Sequence, residues 1–179
     1  MPLLAWGARV SPLFRSTIVG IANGLAIADP SWLMAAMAFE TGESFRADVR
    51  NGAGSGAVGL IQFMPQTAAA LGTTTEELAA MTPETQLNFV KAYFEPRAGQ
   101  LHNLGDVYGA ILWPGMIGKS DDAVVFNEDD KFHPKLYLQN KGLDVNKDGK
   151  ITKAEIVSRV AAKLAKGLQS PNVFDSQGV

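Results

Sequence analysis

The 179-residue chain carries 46% hydrophobic and 19% charged residues, enough for one buried core and too short for two full ones. Sixteen Lys and Arg against 18 Asp and Glu leave a formal charge of -2, which argues against a protein that holds nucleic acid by neutralising phosphates. With no cysteine and two histidines, disulfides, thiolate nucleophiles and Cys-type zinc sites are excluded, and no apolar run reaches the roughly 18 residues of a membrane-spanning helix.

Arg9 and Arg15 flank an apolar stretch that ends in Ala26, Ile27 and Ala28. It reads as a buried helix over 12–28 or as a signal peptide cleaved before Asp29, and its two glycines and one asparagine favour the helix. Asp29, Pro30 and Ser31 make a turn whose serine hydroxyl is expected to cap a second helix over 32–40, stopped by Gly42. Residues 41–59 hold four glycines between 52 and 59 and are expected to form a loop. Pro65 opens a short helix to about 71, Thr74 or Thr75 another to 81, and Thr82 with Pro83 a longer one to about 97, whose apolar face is Leu87, Val90 and Phe94. A further helix is expected over 105–113. Residues 115–134 are acidic and irregular, with a short strand at 124–126, and a last helix runs from 153 or 154 to 166. The remaining residues, 167–179, read as a poorly ordered tail. The fold class is mainly α, with no internal repeat and monomer as the default.

The sharpest local motif lies at 144–155, where Asp144, Asn146, Asp148, Gly149, Lys150, Thr152 and Glu155 fill the key positions of a twelve-residue EF-hand loop. Side-chain oxygens at positions one, three and five converge around a turn that glycine at six permits, Lys150 offers its carbonyl, and Glu155 supplies two oxygens. Thr152 acts directly or through water, and Ile151 points into the protein. One structural Ca2+ is expected, held by Asp144, Asn146, Asp148, Lys150 and Glu155. A solitary loop is expected to clamp structure, since sensors usually pair two.

Residues 34–67 carry the chemistry. Glu40 and Thr41 end an apolar helix, Phe45 follows, and then come Gly56, Ala57, Val58, Gly59, Leu60, Ile61, Gln62, Phe63, Met64 and Pro65, followed by Gln66, Thr67 and Ala68. This order resembles the soluble lytic transglycosylase family, relatives of goose-type lysozyme, with Thr41 in place of serine and Ile61 in place of methionine. Asp106, Val107, Tyr108, Gly109 and Ala110 resemble the family's later tyrosine motif without its asparagine. The resemblance implies a lysozyme-like fold over 1–134, followed by an EF-hand-like segment over 135–167 and the tail over 168–179. It also implies action on the MurNAc-GlcNAc bond of peptidoglycan, with 1,6-anhydro ends as product. An EF-hand-like loop after a lysozyme-like part is similar to phage-encoded wall-degrading enzymes. That similarity implies action on the periplasmic wall from a virion or a host cell.

Breaking a glycosidic bond needs a proton on the leaving oxygen, and a carboxylic acid with a raised pKa delivers one near neutral pH. Glu40, at the edge of an apolar helix, is the expected catalytic residue, and Glu43, three residues into a polar loop, is the competitor. Hydrolysis would require a second carboxylate, for which Asp48 and Glu76 qualify by type alone. Gln62, Tyr108, Phe63, Gly59 and Leu60 are the expected substrate contacts: the glycines let backbone approach a sugar, and Gln62 bonds an acetamido group or holds the loop. His102 and His133 have no ligand spacing and read as packing or surface residues, and Trp32 and Trp113 as core or cleft wall.

Overall fold

Serine and proline start the first helix. In a computed structural model that describes residues 3–52 and 54–175, the Ser11 hydroxyl accepts the Phe14 N–H at 3.1 Å and opens α1 (Pro12–Gly24). Phe14, Ile18, Ile21 and Ala22 recur at helical spacing and form its buried stripe. The stretch at 12–28 is thus a packed helix, shorter than expected, because Ala26 takes a left-handed conformation (φ 57°) and Ile27 N–H turns back to the Ala22 carbonyl at 2.9 Å.

The second helix, α2 (Ser31–Glu40), is buried on nearly every side from Leu33 to Ala38, as suits a central helix. Its expected cap is corrected: the Asp29 carboxylate accepts Ser31 N–H at 2.8 Å, while the Ser31 hydroxyl serves Ala5 N–H at 3.2 Å. After the glycine-rich loop come α3 (Pro65–Ala70), α4 (Thr75–Ala80), capped reciprocally by Thr74 and Glu77, and α5 (Pro83–Phe94), which packs on α1. The next helix, α6 (Leu104–Leu112), packs against α2.

Beyond α6 the acidic stretch contains β2 (Val124–Asn127), one residue longer than expected, and leads into α7 (Pro134–Asn140), which sequence reasoning did not anticipate. Strand β2 pairs antiparallel with β3 (Lys150–Thr152), where Ile151 is fully buried as expected. Thr152 and Glu155 form a capping box for α8 (Lys153–Gly167), which packs on both α2 and α6. The lysozyme-like part and the C-terminal segment therefore share one core. Lys153, at the start of α8, is bonded to Asp106 on α6 at 2.9 Å, with both side chains almost completely buried.

The expected tail is corrected as well. At the N-terminus β1 (Leu3–Leu4) pairs antiparallel with β4 (Phe174–Asp175), so 168–175 returns to the core; residues 176–179 lie outside the described residues. Trp6 anchors this closure: its indole N–H donates to the Lys163 carbonyl at 2.9 Å, and its ring fills the space that Gly167 leaves by lacking a Cβ.

Candidate active site

Glu40 is the last residue of α2, where the chain must leave the helix without dragging the carboxyl into solvent. The Thr41 hydroxyl donates to the Met37 carbonyl at 2.7 Å and accepts the Phe45 N–H at 3.1 Å, so the threonine that stands in place of serine clamps both sides of the turn. Gly42 and Glu43 are left-handed (φ 59° and 71°), and Glu43 N–H closes on Ala38 at 2.8 Å. Glu43, the competing acid, turns away and grips α8: its two oxygens accept from Lys163 and Lys166 at 2.5 and 2.6 Å. Those two bonds hold its pKa below the usual carboxylate value, the opposite of what a general acid needs.

Glu40 is half-buried, and burial raises the pKa of its carboxyl from 4.5 to about 7. The Tyr108 hydroxyl of α6 donates a hydrogen bond to it and opposes that rise with a smaller effect. A carboxylate at a helix C-terminus also faces the unfavourable end of the dipole, which likewise favours the protonated form. Tyr108 is 2% exposed, its ring edge-on to Phe39 with centroids 5.4 Å apart. Burial first, and the neighbouring Glu40 charge second, push its hydroxyl pKa up, so it is a neutral donor at all working pH values. Tyr93 of α5 lies near enough for the Glu40 charge to raise its pKa further after burial; its hydroxyl donates to Ala110 O at 2.6 Å and its ring meets Phe63 edge-on. Sequence reasoning missed Tyr93, because its only signal was a half-buried place on the α5 stripe.

The expected substrate contacts take different places. Gln62 (φ 53°) holds the loop, donating its amide to Val49 O at 3.1 Å and Gly59 O at 3.0 Å. Leu60 is fully buried and Phe63 is 2% exposed, so neither presents surface to a sugar; they back the site from the core. Gly59 (φ 84°) is required for a reason other than sugar approach: a Cβ there would lie 2.3 Å from Oε1 of Gln86. Gln86, fully buried on α5, accepts Leu60 N–H at 2.7 Å and donates to Ala47 O and Leu78 O at 3.1 and 2.8 Å. This buried amide ties the loop, at Ala47 and Leu60, to α4 and α5. A glutamine beside Leu87 on an otherwise apolar helix face was the signal for it.

Neither candidate second carboxylate meets Glu40. Asp48 makes a two-pronged pair with Arg46 at 2.8 and 2.6 Å on the surface, and Glu76 is exposed and 4.0 Å from Arg50. Of the histidines, His133 lies 3.4 Å from Asp130 and edge-on to Trp113, while His102 offers its backbone N–H to Asp106. Trp32 and Trp113 are partly buried against the core.

The 144–155 loop has the turn that an oxygen-ligand cage needs. Lys147 and Gly149 are left-handed (φ 61° and 82°), and Asp144, Asn146 and Asp148 each accept backbone N–H bonds from within the loop at 2.6 to 3.1 Å. Glu155 accepts Val145 N–H at 3.0 Å and Thr152 N–H at 2.9 Å, which ties position twelve to the loop and caps α8. Among the described residues, no three acidic or histidine side chains converge to hold a metal. The donor set at 144, 146, 148, 150 and 155 is all hard oxygen at calcium-type spacing, which suits Ca2+ by donor chemistry.

A family model described as the Transglycosylase SLT domain matches residues 23–112, a span that holds Glu40, the glycine-rich loop and Tyr108 and stops at the end of α6. No curated protein matches the chain.

Proposed function

The chain belongs to the SLT transglycosylase family, whose members cleave glycosidic bonds of peptidoglycan, and from that premise we propose that Glu40 is its sole catalytic acid and base. The observation that carries this reading is the Glu40 carboxyl itself: half-buried, hydrogen-bonded by neutral Tyr108, raised toward pKa 7 by burial, and without a carboxylate partner among the groups that shift it.

With that pKa, about half of the Glu40 side chains carry a proton at neutral pH. The protonated form donates to the oxygen between MurNAc C1 and GlcNAc as the C1–O bond breaks and the GlcNAc end leaves. The substrate's acetamido oxygen closes on C1 and holds the developing positive charge, which makes a protein nucleophile unnecessary. Glu40, now a carboxylate, takes the proton from the MurNAc 6-hydroxyl as that oxygen attacks C1 and displaces the acetamido oxygen. The product is a 1,6-anhydro ring and Glu40 regains its proton. Tyr108 stabilises the carboxylate stage through its hydrogen bond and then relaxes with it. Asp144, Asn146, Asp148, Lys150 and Glu155 would hold Ca2+, which supplies the charge that binds the β3 turn to the start of α8. We also propose delivery to the wall by a virion or from an infected cell, a reading that rests on the layout in the sequence of a lysozyme-like part followed by an EF-hand-like loop.

Digestion of purified peptidoglycan by wild type and Glu40→Gln, read by mass spectrometry, tests the reading. Anhydro-ended muropeptides from wild type and none from the variant are expected. Reducing ends from wild type would overturn the single-carboxylate mechanism in favour of hydrolysis.

A further inference from the structure

Beside Tyr108 an open cavity of about 450 Å³ has two walls of different origin. Phe39, Tyr108 and Leu112 come from α2 and α6, within the family match, while Gln139, Asn140 and Arg159 come from α7 and α8, beyond it. The C-terminal segment thus builds half of a cleft whose other half adjoins Glu40.

Arg159 is the charged residue of this cavity. On α8 it stands at the head of a row, Arg159, Lys163 and Lys166, whose spacing of four and three residues puts all three on one helix face. Lys163 and Lys166 are neutralised by Glu43, three residues after Glu40. Arg159, about 6 Å up the helix from Lys163, has no carboxylate within ion-pair distance among the described residues; its one bond is from Nη2 to the Gly142 carbonyl at 3.2 Å. A guanidinium has five N–H donors in a fork that matches a carboxylate. An adjoining cavity past Arg159 brings in Lys141 and Lys147, together with Asp144, whose oxygens accept from the Tyr137 hydroxyl and the Lys147 and Gly149 backbone N–H groups. The first cavity therefore combines an aromatic wall at the catalytic end with the unpaired Arg159 guanidinium at the other.

We propose that this cavity is a subsite for the acidic stem peptide borne by the muramyl residue, with Arg159 receiving one of its carboxylates. The proposal rests on the peptidoglycan reading above and deepens it. A glycan strand is itself uncharged at its sugar rings, and the carboxylates of its substrate lie on the peptides attached through the lactyl ether. Binding one against Arg159 would set the register of the strand so that a muramyl C1, and not a GlcNAc C1, faces Glu40.

The test compares wild type, Arg159→Ala and Arg159→Lys on two substrates: glycan strands bearing stem peptides with free carboxylates, and the same strands with those carboxylates amidated, which keeps the peptide and removes its charge. Arg159→Ala is expected to raise the ratio of KM on free-carboxylate strands to KM on amidated strands about tenfold, the loss of one charge-assisted contact. Arg159→Lys should recover part of that. In parallel, calorimetric titration of an N-acetylmuramyl tetrapeptide into Glu40→Gln, with and without Arg159→Ala, should show about tenfold weaker binding when the arginine is absent. An unchanged KM ratio with equal binding would overturn the proposal. Wild type that cleaves none of the strands, while binding still depends on Arg159, would instead defeat the reaction and leave the subsite standing.

Discussion

Lys153→Met is expected to destabilise the protein strongly, although the residue lies far along the chain from the proposed acid. The Lys153 ammonium is 2.9 Å from Asp106 and also donates to the Lys119 carbonyl at 2.9 Å, with the two side chains only 3% and 2% exposed. Asp106 accepts further bonds from Gly118 N–H and the Asn103 amide, each at 2.9 Å, and the more distant His102 N–H at 3.3 Å. Burial would raise its pKa, but the Gly118 bond and Lys153 outweigh burial and hold it below the ordinary value. Removing the cation leaves a carboxylate buried with N–H donors and no counter-charge, which costs about 3–5 kcal/mol. For a domain of this size the corresponding fall in Tm is on the order of 10 °C. Urea unfolding followed by circular dichroism, in chelator so that calcium does not mask the effect, measures it. Asp106→Asn in the Lys153→Met background removes both charges, so the double variant should recover at least about 2 kcal/mol relative to the sum of the singles. A single-variant cost under about 1 kcal/mol, or additivity within about 0.5 kcal/mol, would refute the reasoning. Because Asp106 has a depressed pKa, the stability it contributes is present above its unfolded value and is lost as pH falls through the folded value.

Catalysis that needs protonated Glu40 should decline as pH rises through about 7, with kcat/KM falling tenfold per unit beyond it, and Tyr108→Phe should move that limb upward because a bond that lowers the pKa is lost; a profile flat to pH 9 would contradict this. The raised Glu40 pKa also works against stability, whose contribution is full below about 4.5 and lost as pH climbs to about 7, so Glu40→Gln should gain on the order of 2 kcal/mol at pH 8 and little at pH 4, by thermal melts at both. Gly59→Ala meets both a left-handed backbone and the Gln86 amide, and should cost more than about 2 kcal/mol in urea unfolding; a smaller cost would mean that Gln86 yields easily. Saturating calcium at a hundredfold excess over its Kd should add about 2.7 kcal/mol of stability to wild type and none to Asp144→Ala, read as Tm with calcium and with EDTA.

Much of this protein is written locally. Ser11, Thr74, Thr82 and Thr152 cap helices through bonds that reach only three residues, so the elements they open were legible in the linear pattern, as were the Gly42 stop and the EF-hand spacing. Glu40 stood out as a candidate too, because a carboxylate at the end of an apolar helix has a local electrostatic cost that calls for a reason. Most missed features depend on a partner distant in the chain, and α7 lacks a local mark. α7 has no side-chain cap and no fully buried residue to mark it. The predicted tail pairs with residues 3–4, Glu43 is claimed by two lysines 120 and 123 positions away, and Gly59 answers to Gln86. Leu60 and Phe63 share a motif with Gln62 yet face inward, since packing and not proximity in sequence determines which side chains reach a cleft. Residue types and short spacings thus determined most of the helices and singled out Glu40 and the 144–155 loop as candidates. Only the packing of α8 on α2 and α6 decided that Glu40 is half-buried beside Tyr108 and that Arg159 lines the cavity at Tyr108, because burial and long-range pairing arise when distant segments exclude water together.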